Sequence, residues 1–433
     1  MRVLFAFFLL GFLFSACGTP RQLQQSAQNL VLNDSALQTA HVGISIYEPA
    51  TGKWWYNHQG DKYFVPASNT KIVTAYAAMK YLGDSLVGLE YALNDSAVVF
   101  RGTGEPTLLH GDFRHQPVLD FLNAQKQSLA ITEAPFDDDR WGAGWSVSDI
   151  DAAYAPERSE LPVYGNVIRI YKQNNAIVST PSSLRARIQV PAATDWRISF
   201  ERPSLNENAF QFRASPQSFT AQVIPFVTGK YMSAWVLLMD TLQKNISFLP
   251  RASIPNLTWQ KLYSRPTDSL LKPLLHRSDN FFAEQTLLMV SNKVLGYMND
   301  ARIIDTLLQT DLADLPHTPR WADGSGLSRY NLFTPQDFVF LLRKMKDEFG
   351  MPRIREVFPT GNEGTLTNFY KQDSTFLYAK TGTLSGVVAL SGFLTTSKGK
   401  ELIFSVLVNN HQTSAVRVRR AVEAFIQKLR QNH

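Results

Sequence analysis

The sequence predicts an α+β fold in which helices cover an antiparallel sheet, with one or two mostly β domains inserted into the chain. Pairs of apolar strands occur near both ends of the sequence, and helical patterns lie beside them. The texture of residues 87–263 is different, with short β-branched and aromatic runs separated by Pro, Asn and Gly. A chain of 433 residues, 44% of them hydrophobic, is long enough for two or three such domains.

The N-terminal elements are predicted from periodicity and turn residues. Residues 21–39 place Leu and Val on one helical face. Residues 42–47 and 53–56 alternate as two strands around a Pro-Ala-Thr-Gly turn. An Ala-rich helix follows over residues 68–82 and ends at Gly83. Residues 18–86 are therefore predicted to be the first part of the helix-covered sheet domain.

The remaining elements divide between the insertion and the second part of that domain. The insertion, 87–263, contains predicted strands at 167–171, 185–190 and 196–200. The second part, 264–433, contains predicted helices at 279–294, 335–350 and 414–429 and strands at 385–395 and 401–409. Thr334 followed by Pro335 is the expected start of the middle helix.

Composition excludes several classes of protein. The 43 Lys and Arg exceed the 37 Asp and Glu by a net charge of +6, but they are scattered, so no nucleic acid partner is predicted. Cys17 is the single cysteine, which excludes disulfides within the chain and thiolate metal clusters. The histidines lack metal-ligand spacing, so neither a metal nor a cofactor is predicted.

The N-terminus predicts export to the cell envelope or periplasm. A basic start is followed by an apolar run over residues 3–14, which is too short to span a bilayer as a mature helix. Ser15-Ala16-Cys17 ends this run and resembles the lipobox of bacterial lipoproteins. Residues 1–17 are thus predicted to be a lipoprotein signal, with Cys17 lipidated as a membrane anchor. An ordinary signal peptide cut nearby is the alternative.

A hydroxyl nucleophile is predicted at Ser68, since the one cysteine lies in the export signal. Ser68 and Lys71 are three residues apart at a predicted helix start, so the Lys71 amine lies beside the Ser68 hydroxyl. Lys71 can act as a base if burial or a neighbouring cation lowers its pKa. The same four-residue pattern at 269–272 and 397–400 shows that it is weak by itself.

Two further motifs strengthen the hypothesis of a serine enzyme. Ser278-Asp279-Asn280 supplies a second hydroxyl and an amide at a helix start, although an ordinary helix cap is the simpler interpretation. Lys380-Thr381-Gly382-Thr383 enters an apolar strand, where a cation and hydroxyl can face a carboxylate and Gly382 permits close backbone approach. A charged strand end is its alternative.

These motifs, in this order, resemble the set found in β-lactamases and penicillin-binding proteins. The long separation between the Ser68 and Ser278 motifs resembles that in the D-alanyl-D-alanine carboxypeptidase/endopeptidase family of low-molecular-mass penicillin-binding proteins (class C, type four). Segments 66–71, 102–108, 323–329 and 379–384 also resemble motifs of this family, with Glu105 standing where the family usually has Asp. The resemblance covers nearly the whole chain after the export signal.

The resemblance implies a penicillin-binding/β-lactamase-like domain and a penicillin-sensitive serine peptidase acting on peptidoglycan stem peptides, with β-lactam antibiotics as acylating inhibitors. A β-lactamase or esterase using the same serine, or a non-catalytic peptidoglycan-binding protein, are the alternatives. The implied roles are an acylated nucleophile at Ser68, a base at Lys71, a proton relay at Ser278, a substrate amide ligand at Asn280, carboxylate ligands at Lys380 and Thr381, an oxyanion hole from the backbone of Ser68 and Thr383, and substrate recognition at Asp137.

Overall fold

The computed structural model describes residues 18–93, 97–190, 196–254, 257–372 and 374–433. Cys17 and the rest of the predicted export signal lie outside these residues. Two compact units divide the chain. The first holds the described residues up to Tyr76, Leu271–Ser278 and Leu307–His433, and the second holds Ala77–Leu270 and Asp279–Thr306. The predicted domain boundaries, 18–86, 87–263 and 264–433, stay predictions.

Both units contain helices and strands. The α-helices are α1 (Gly18–Ala27), α2 (Thr70–Tyr81), α3 (Pro117–Ala124), α4 (Met232–Leu242), α5 (Thr267–His276), α6 (Asn280–Leu295), α7 (Asp300–Gln309), α8 (Pro335–Val357) and α9 (Ala415–Asn432). The strands are β1 (His41–Glu48), β2 (Lys53–His58), β3 (Ser85–Leu93), β4 (Ala97–Arg101), β5 (Ser128–Ile131), β6 (Val167–Gln173), β7 (Ala176–Thr180), β8 (Ile198–Glu201), β9 (Gln211–Ala214), β10 (Ala221–Pro225), β11 (Ile246–Phe248), β12 (Gln260–Pro266), β13 (Leu377–Leu384), β14 (Val387–Thr395) and β15 (Glu401–Asn409).

The first unit is built on a five-stranded sheet in the order β13-β14-β15-β1-β2. Every neighbouring pair in it is antiparallel, and β1 joins β15 from His41 opposite Asn409 to Tyr47 opposite Ile403. Strands from the two ends of the chain therefore meet at the centre of one sheet. The predicted α+β class with an antiparallel sheet flanked by helices is confirmed.

Helices cover both faces of this sheet. Alternate residues of β1, β14 and β15, including Ile44, Leu390 and Val406, form a buried core with apolar residues of α1 and α9. On the opposite face α8 packs against β1 and β15. A Cβ atom at Gly43 would lie 2.7 Å from Cγ of Pro335, the first residue of α8, so this approach requires glycine.

The second unit has separate sheets around its own core. A five-stranded sheet runs β11-β5-β4-β3-β12, a three-stranded sheet β10-β6-β7, and a two-stranded sheet β8-β9. Apolar residues of these strands and of α3 and α4 form its main core. Within the described residues no helix is both long and apolar enough to cross a membrane.

Two sequence predictions need correction. Residues 185–190 do not form a strand, because Ser182–Arg187 is a 3₁₀ helix that follows Pro181, and Ile188 makes only an isolated bridge with Phe210. The motif that begins at Lys380 does not enter the following apolar strand, since it lies in its own strand, β13. Gly386, with φ of +73°, makes the turn that separates β13 from β14.

Candidate active site

Ser68 and Lys71 lie side by side at the start of α2. Ser68 belongs to the 3₁₀ turn Ala67–Asn69, and the helix begins at Thr70. The Nζ atom of Lys71 donates to Ser68 Oγ at 3.0 Å and to the carbonyl of Ser325 at 2.6 Å. Lys71 is fully buried, so its amine is held beside the hydroxyl without contact with bulk water.

The turn that presents Ser68 has a strained backbone. Ala67 has φ of +48°, which is costly for a residue with a Cβ atom and persists only where the surroundings hold it. Gly326 packs against it so closely that a Cβ atom there would lie 2.0 Å from Ala67 O. Asp323 accepts from the backbone N–H of Gly326 and of Ser328, each at 2.7 Å, and thereby fixes the loop.

Strand β13 runs directly beside this turn. A Cβ atom at Gly382 would lie 2.6 Å from Pro66 O and 3.0 Å from Ser68 N, so only glycine allows the strand this near. With its amide oriented to satisfy both polar atoms, Asn69 donates to Lys380 O at 2.9 Å and accepts from Ser391 Oγ at 2.7 Å. The nucleophile turn and the strand are thus joined through the backbone.

Lys380 brings a second fully buried amine to the site. Its Nζ donates to Thr381 O at 2.8 Å. Burial lowers the pKa of Lys380 well below its ordinary value, and repulsion from Lys71 and then Arg419 lowers it further. Three basic side chains therefore lie around one end of β13, where an anionic group would be attracted.

The hydroxyls of β13 have partners on other elements. Thr381 Oγ1 donates to Thr365 Oγ1 at 2.6 Å. Thr383 is exposed, and its Oγ1 accepts from Arg419 Nη2 at 2.6 Å. Neither Thr365 nor Arg419 was predicted as a site residue, because nothing in their local sequence marks them and both lie far from Ser68 along the chain.

The other predicted site residues have different surroundings. Ser278 has φ of +60° and immediately precedes the N-cap Asp279, whose Oδ1 accepts from Phe282 N at 3.0 Å. Asn280 and Asp137 belong to the second unit. The side chain of Asn280 donates to Tyr154 O at 2.9 Å, and Asp137 is exposed. The roles of Ser278, Asn280 and Asp137 stay predictions.

The aspartates next to Asp137 are anchored by a buried arginine. Arg158 donates to Asp138 Oδ1 at 2.8 Å and also bonds Asp300 and Glu284. Burial raises the pKa of Asp138 to about 6, although Arg158 opposes this shift. This cluster therefore fixes the loop that carries Asp137. Among the described residues no group of His, Cys, Asp and Glu is arranged to hold a metal ion.

Comparison with known proteins agrees with the geometry of Ser68, Lys71 and β13. A model of the D-Ala-D-Ala carboxypeptidase 3 (S13) family matches residues 23–197 and 247–429. The chain belongs to this family. The predictions of a D-alanyl-D-alanine carboxypeptidase family, and of a peptidase, are thereby confirmed.

Relatives of this family member extend along most of its length. It is 26% identical to a D-alanyl-D-alanine carboxypeptidase of Actinomadura sp., over 89% of this chain and 80% of the relative. It is 24% identical to D-alanyl-D-alanine carboxypeptidase DacB of Haemophilus influenzae, over 82% of this chain and 83% of the relative.

Solved structures share its fold. Penicillin binding protein 4 of Haemophilus influenzae superposes with a TM-score of 0.72 at 19% identity, over 94% of this chain and 98% of the other. A predatory endopeptidase of Bdellovibrio bacteriovorus superposes with a TM-score of 0.53 at 18% identity, over 90% of this chain and 92% of the other. The penicillin-binding fold expected from the sequence is confirmed.

Proposed function

We propose that this family member is a penicillin-sensitive serine peptidase that cleaves at D-alanine in peptidoglycan stem peptides through an acyl-enzyme on Ser68. The observation that supports this most directly is the 3.0 Å contact between Ser68 Oγ and the buried Lys71 amine. A hydroxyl becomes a nucleophile when a base within hydrogen-bond reach takes its proton. Lys71 is such a base in its neutral form.

The proposed reaction has two steps. Ser68 Oγ bonds to the carbonyl carbon of the penultimate D-alanine while its proton passes to Lys71 Nζ. The carbon–nitrogen bond then breaks, and the leaving amine takes a proton through Ser278. Water attacks the resulting ester, and the serine hydroxyl is released with its proton restored.

Backbone amides supply the proposed oxyanion hole. Negative charge develops on the carbonyl oxygen during both steps, and preorganised N–H donors stabilise it most effectively. The Ser68 and Thr383 amides have this role in the proposal, and the tight packing of Gly382 against Ser68 N supports it.

The cationic end of β13 is proposed to bind the terminal carboxylate of the substrate. Lys380 is proposed to supply positive charge, Thr381 to supply a hydroxyl, and Asn280 to orient the substrate amide. A β-lactam offers a reactive carbonyl and a carboxylate together, so it can occupy the same positions and acylate Ser68. The structure of Haemophilus influenzae penicillin binding protein 4 complexed with a β-lactam is consistent with such recognition.

Covalent labelling tests the assignment of Ser68. A fluorescent penicillin should label the wild-type protein, and Ser68→Ala should take up no label. Ser269→Ala is a matched control, because Ser269 and Lys272 repeat the spacing of Ser68 and Lys71 on α5, where Ser269 is partly buried and Lys272 is exposed. Defined muropeptides analysed by mass should lose D-alanine with wild type and with Ser269→Ala, but not with Ser68→Ala. Equal labelling of Ser68→Ala would refute the assignment, and rapid loss of label would indicate a β-lactamase.

We also propose that the protein is exported and held at a membrane by a lipid on Cys17. Lipidation at that residue would keep the peptidase beside the cell wall, while ordinary cleavage would release it into the periplasm. Cys17→Ser should keep penicillin labelling, lose labelled fatty acid, and shift to the soluble periplasmic fraction. A wild-type protein that incorporates no fatty acid would contradict the anchor and leave the peptidase assignment intact.

A further inference from the structure

Arg419, on α9, forms a hydrogen bond with one hydroxyl of β13, the strand that is proposed to bind the substrate. Its Nη2 donates to Thr383 Oγ1 at 2.6 Å, and Thr383 is exposed near the C-terminal end of β13. Thr381 and Thr383 lie on the face of β13 that also carries the buried Leu377 and Ala379, which pack toward α9. The guanidinium therefore reaches the edge of the proposed site from behind the sheet.

The charge of Arg419 is not neutralised within the described part of the chain. Its Nε is buried and has no hydrogen-bond partner there, and no carboxylate lies within ion-pair distance. Burial lowers the pKa of its guanidinium, an effect that Tyr370 opposes. Two arginines of the same helix differ, since Arg417 lies 3.5 Å from Asp34 and Arg420 lies 2.5 Å from Glu423.

Hydrogen-bond chemistry fixes what Thr383 can do in this arrangement. An arginine donates and never accepts, so the contact with Arg419 occupies a lone pair of the Thr383 oxygen. The hydroxyl hydrogen must then point elsewhere, and the exposed side of the residue is open to a ligand. A hydroxyl that accepts a hydrogen bond from a cation is also polarised, so its own hydrogen binds an anion more strongly.

We propose that Arg419 is a positioning residue that orients the Thr383 hydroxyl to donate to the terminal carboxylate of the substrate. It thereby sets the preference of the site for substrates that end in a free carboxylate. This inference rests on the proposed peptidase function. It adds a second anion-binding group on the face of β13 opposite Lys380.

Two thioester substrates test this inference. One is the thioester of an N-acyl-D-alanine with mercaptoacetate, and the other is the same compound with its carboxylate amidated. Arg419→Gln should lower kcat/KM for the first by about 10-fold to 100-fold, the range of a charge-assisted hydrogen bond. For the amidated substrate kcat/KM should change by less than about 2-fold, because no carboxylate is present. Arg417→Gln, on the same helix, should change neither value.

A double-mutant cycle tests whether Arg419 acts through Thr383. Thr383→Ser should keep the preference for the carboxylate, and Thr383→Val should lose it. In the Thr383→Val background, Arg419→Gln should cause no further loss. Equal losses on both substrates would show a merely structural role, and a full additional loss in that background would show that Arg419 acts elsewhere. Either result overturns the inference, whereas failure of wild type to acylate Ser68 would overturn the proposed function itself.

Discussion

The site places two buried lysine amines close to the partly buried hydroxyl of Ser68. Lys71 and Lys380 are both fully buried, and both use carbonyl oxygens as hydrogen-bond acceptors. Burial disfavours an ammonium ion, and a second cation nearby disfavours it further. Both effects lower the pKa of Lys380. Lys71 is equally buried and its amine contacts Ser68 Oγ, so it is placed to exchange a proton with that hydroxyl.

The first prediction concerns Lys71→Arg. Arginine keeps a positive charge but does not deprotonate, so the acylation rate by labelled penicillin should fall by about 100-fold or more while the fold persists. Circular dichroism would verify folding. Lys272→Arg is the control, because Lys272 is half-exposed and its Nζ lies 3.3 Å from Glu356. An acylation rate unchanged in Lys71→Arg would mean that another group takes the proton.

Local spacing predicted one part of the site and could not predict another. Helical geometry implied that Ser68 and Lys71 would meet, and their 3.0 Å contact agrees with it. The contact of Asn69 with Lys380 and that of Arg419 with Thr383 join residues with no fixed spacing along the chain. They arise from the pairing of strands and the packing of helices, which a single sequence does not encode in a local pattern.

Among the elements, β13 tolerates displacement least. It is the edge strand of the sheet, paired along its length with β14 and bridged at Tyr378 to Thr360, and its Gly382 lies against the backbone of Pro66 and Ser68. Gly382→Ala would place a methyl group inside that contact, so the strand must shift outward. We expect penicillin acylation to fall by about 100-fold, as for a displacement of about 1 Å in an active site. Gly111→Ala is the control, since a Cβ atom there meets nothing within 4 Å. Equal acylation of both variants would show that β13 can move without effect.

The start of α8 gives a prediction about stability. Thr334 Oγ1 accepts from Asp337 N at 3.1 Å, and Asp337 Oδ2 accepts from Thr334 N at 2.9 Å, which is a capping box. Thr334→Ala should reduce the free energy of unfolding by about 1 kcal/mol, and Thr334→Ser should retain most of it. Urea denaturation would measure both. If the two variants were equally stable, the cap would contribute little.

Elements whose local sequence strongly favours one structure were predicted correctly. The cap and proline at Thr334 and Pro335, and the apolar runs of β14 and β15, left little choice of structure. The strand predicted at residues 185–190 was wrong, because the 3₁₀ helix that follows Pro181 takes up most of this segment despite its β-branched residues. The helix predicted to end at Gly350 is interrupted there, because Gly350 has the non-helical angles φ 74° and ψ 153°, and a second helical segment follows it to Val357.

For the whole molecule, the order of the strands links the two chain ends. β1 lies between β15 and β2, so the centre of the first sheet cannot form until residues near 45 and 405 have met. Contacts between such distant residues close large loops and slow folding. The second unit has its own core, so its stability can be followed through groups buried within it.

Glu160 makes the stability of the second unit depend on pH. It is buried, and its Oε1 has no hydrogen-bond partner among the described residues. Burial raises its pKa from 4.5 to about 8. The unfolded chain releases this proton above pH 4.5 while the folded chain keeps it. The stabilisation is therefore complete below that pH and is lost as the pH rises through about 8.

Glu160→Gln should remove this dependence, because an amide stays neutral throughout the range. In urea denaturation between pH 5 and 8, the free energy of unfolding of wild type should decline by as much as about 1.4 kcal/mol per pH unit from this group. The decline should be shallower in Glu160→Gln and unchanged in Glu207→Gln, whose carboxylate is exposed. A slope in Glu160→Gln as steep as in wild type would show that Glu160 is already ionised in the folded protein, with water or a cation reaching its buried oxygen.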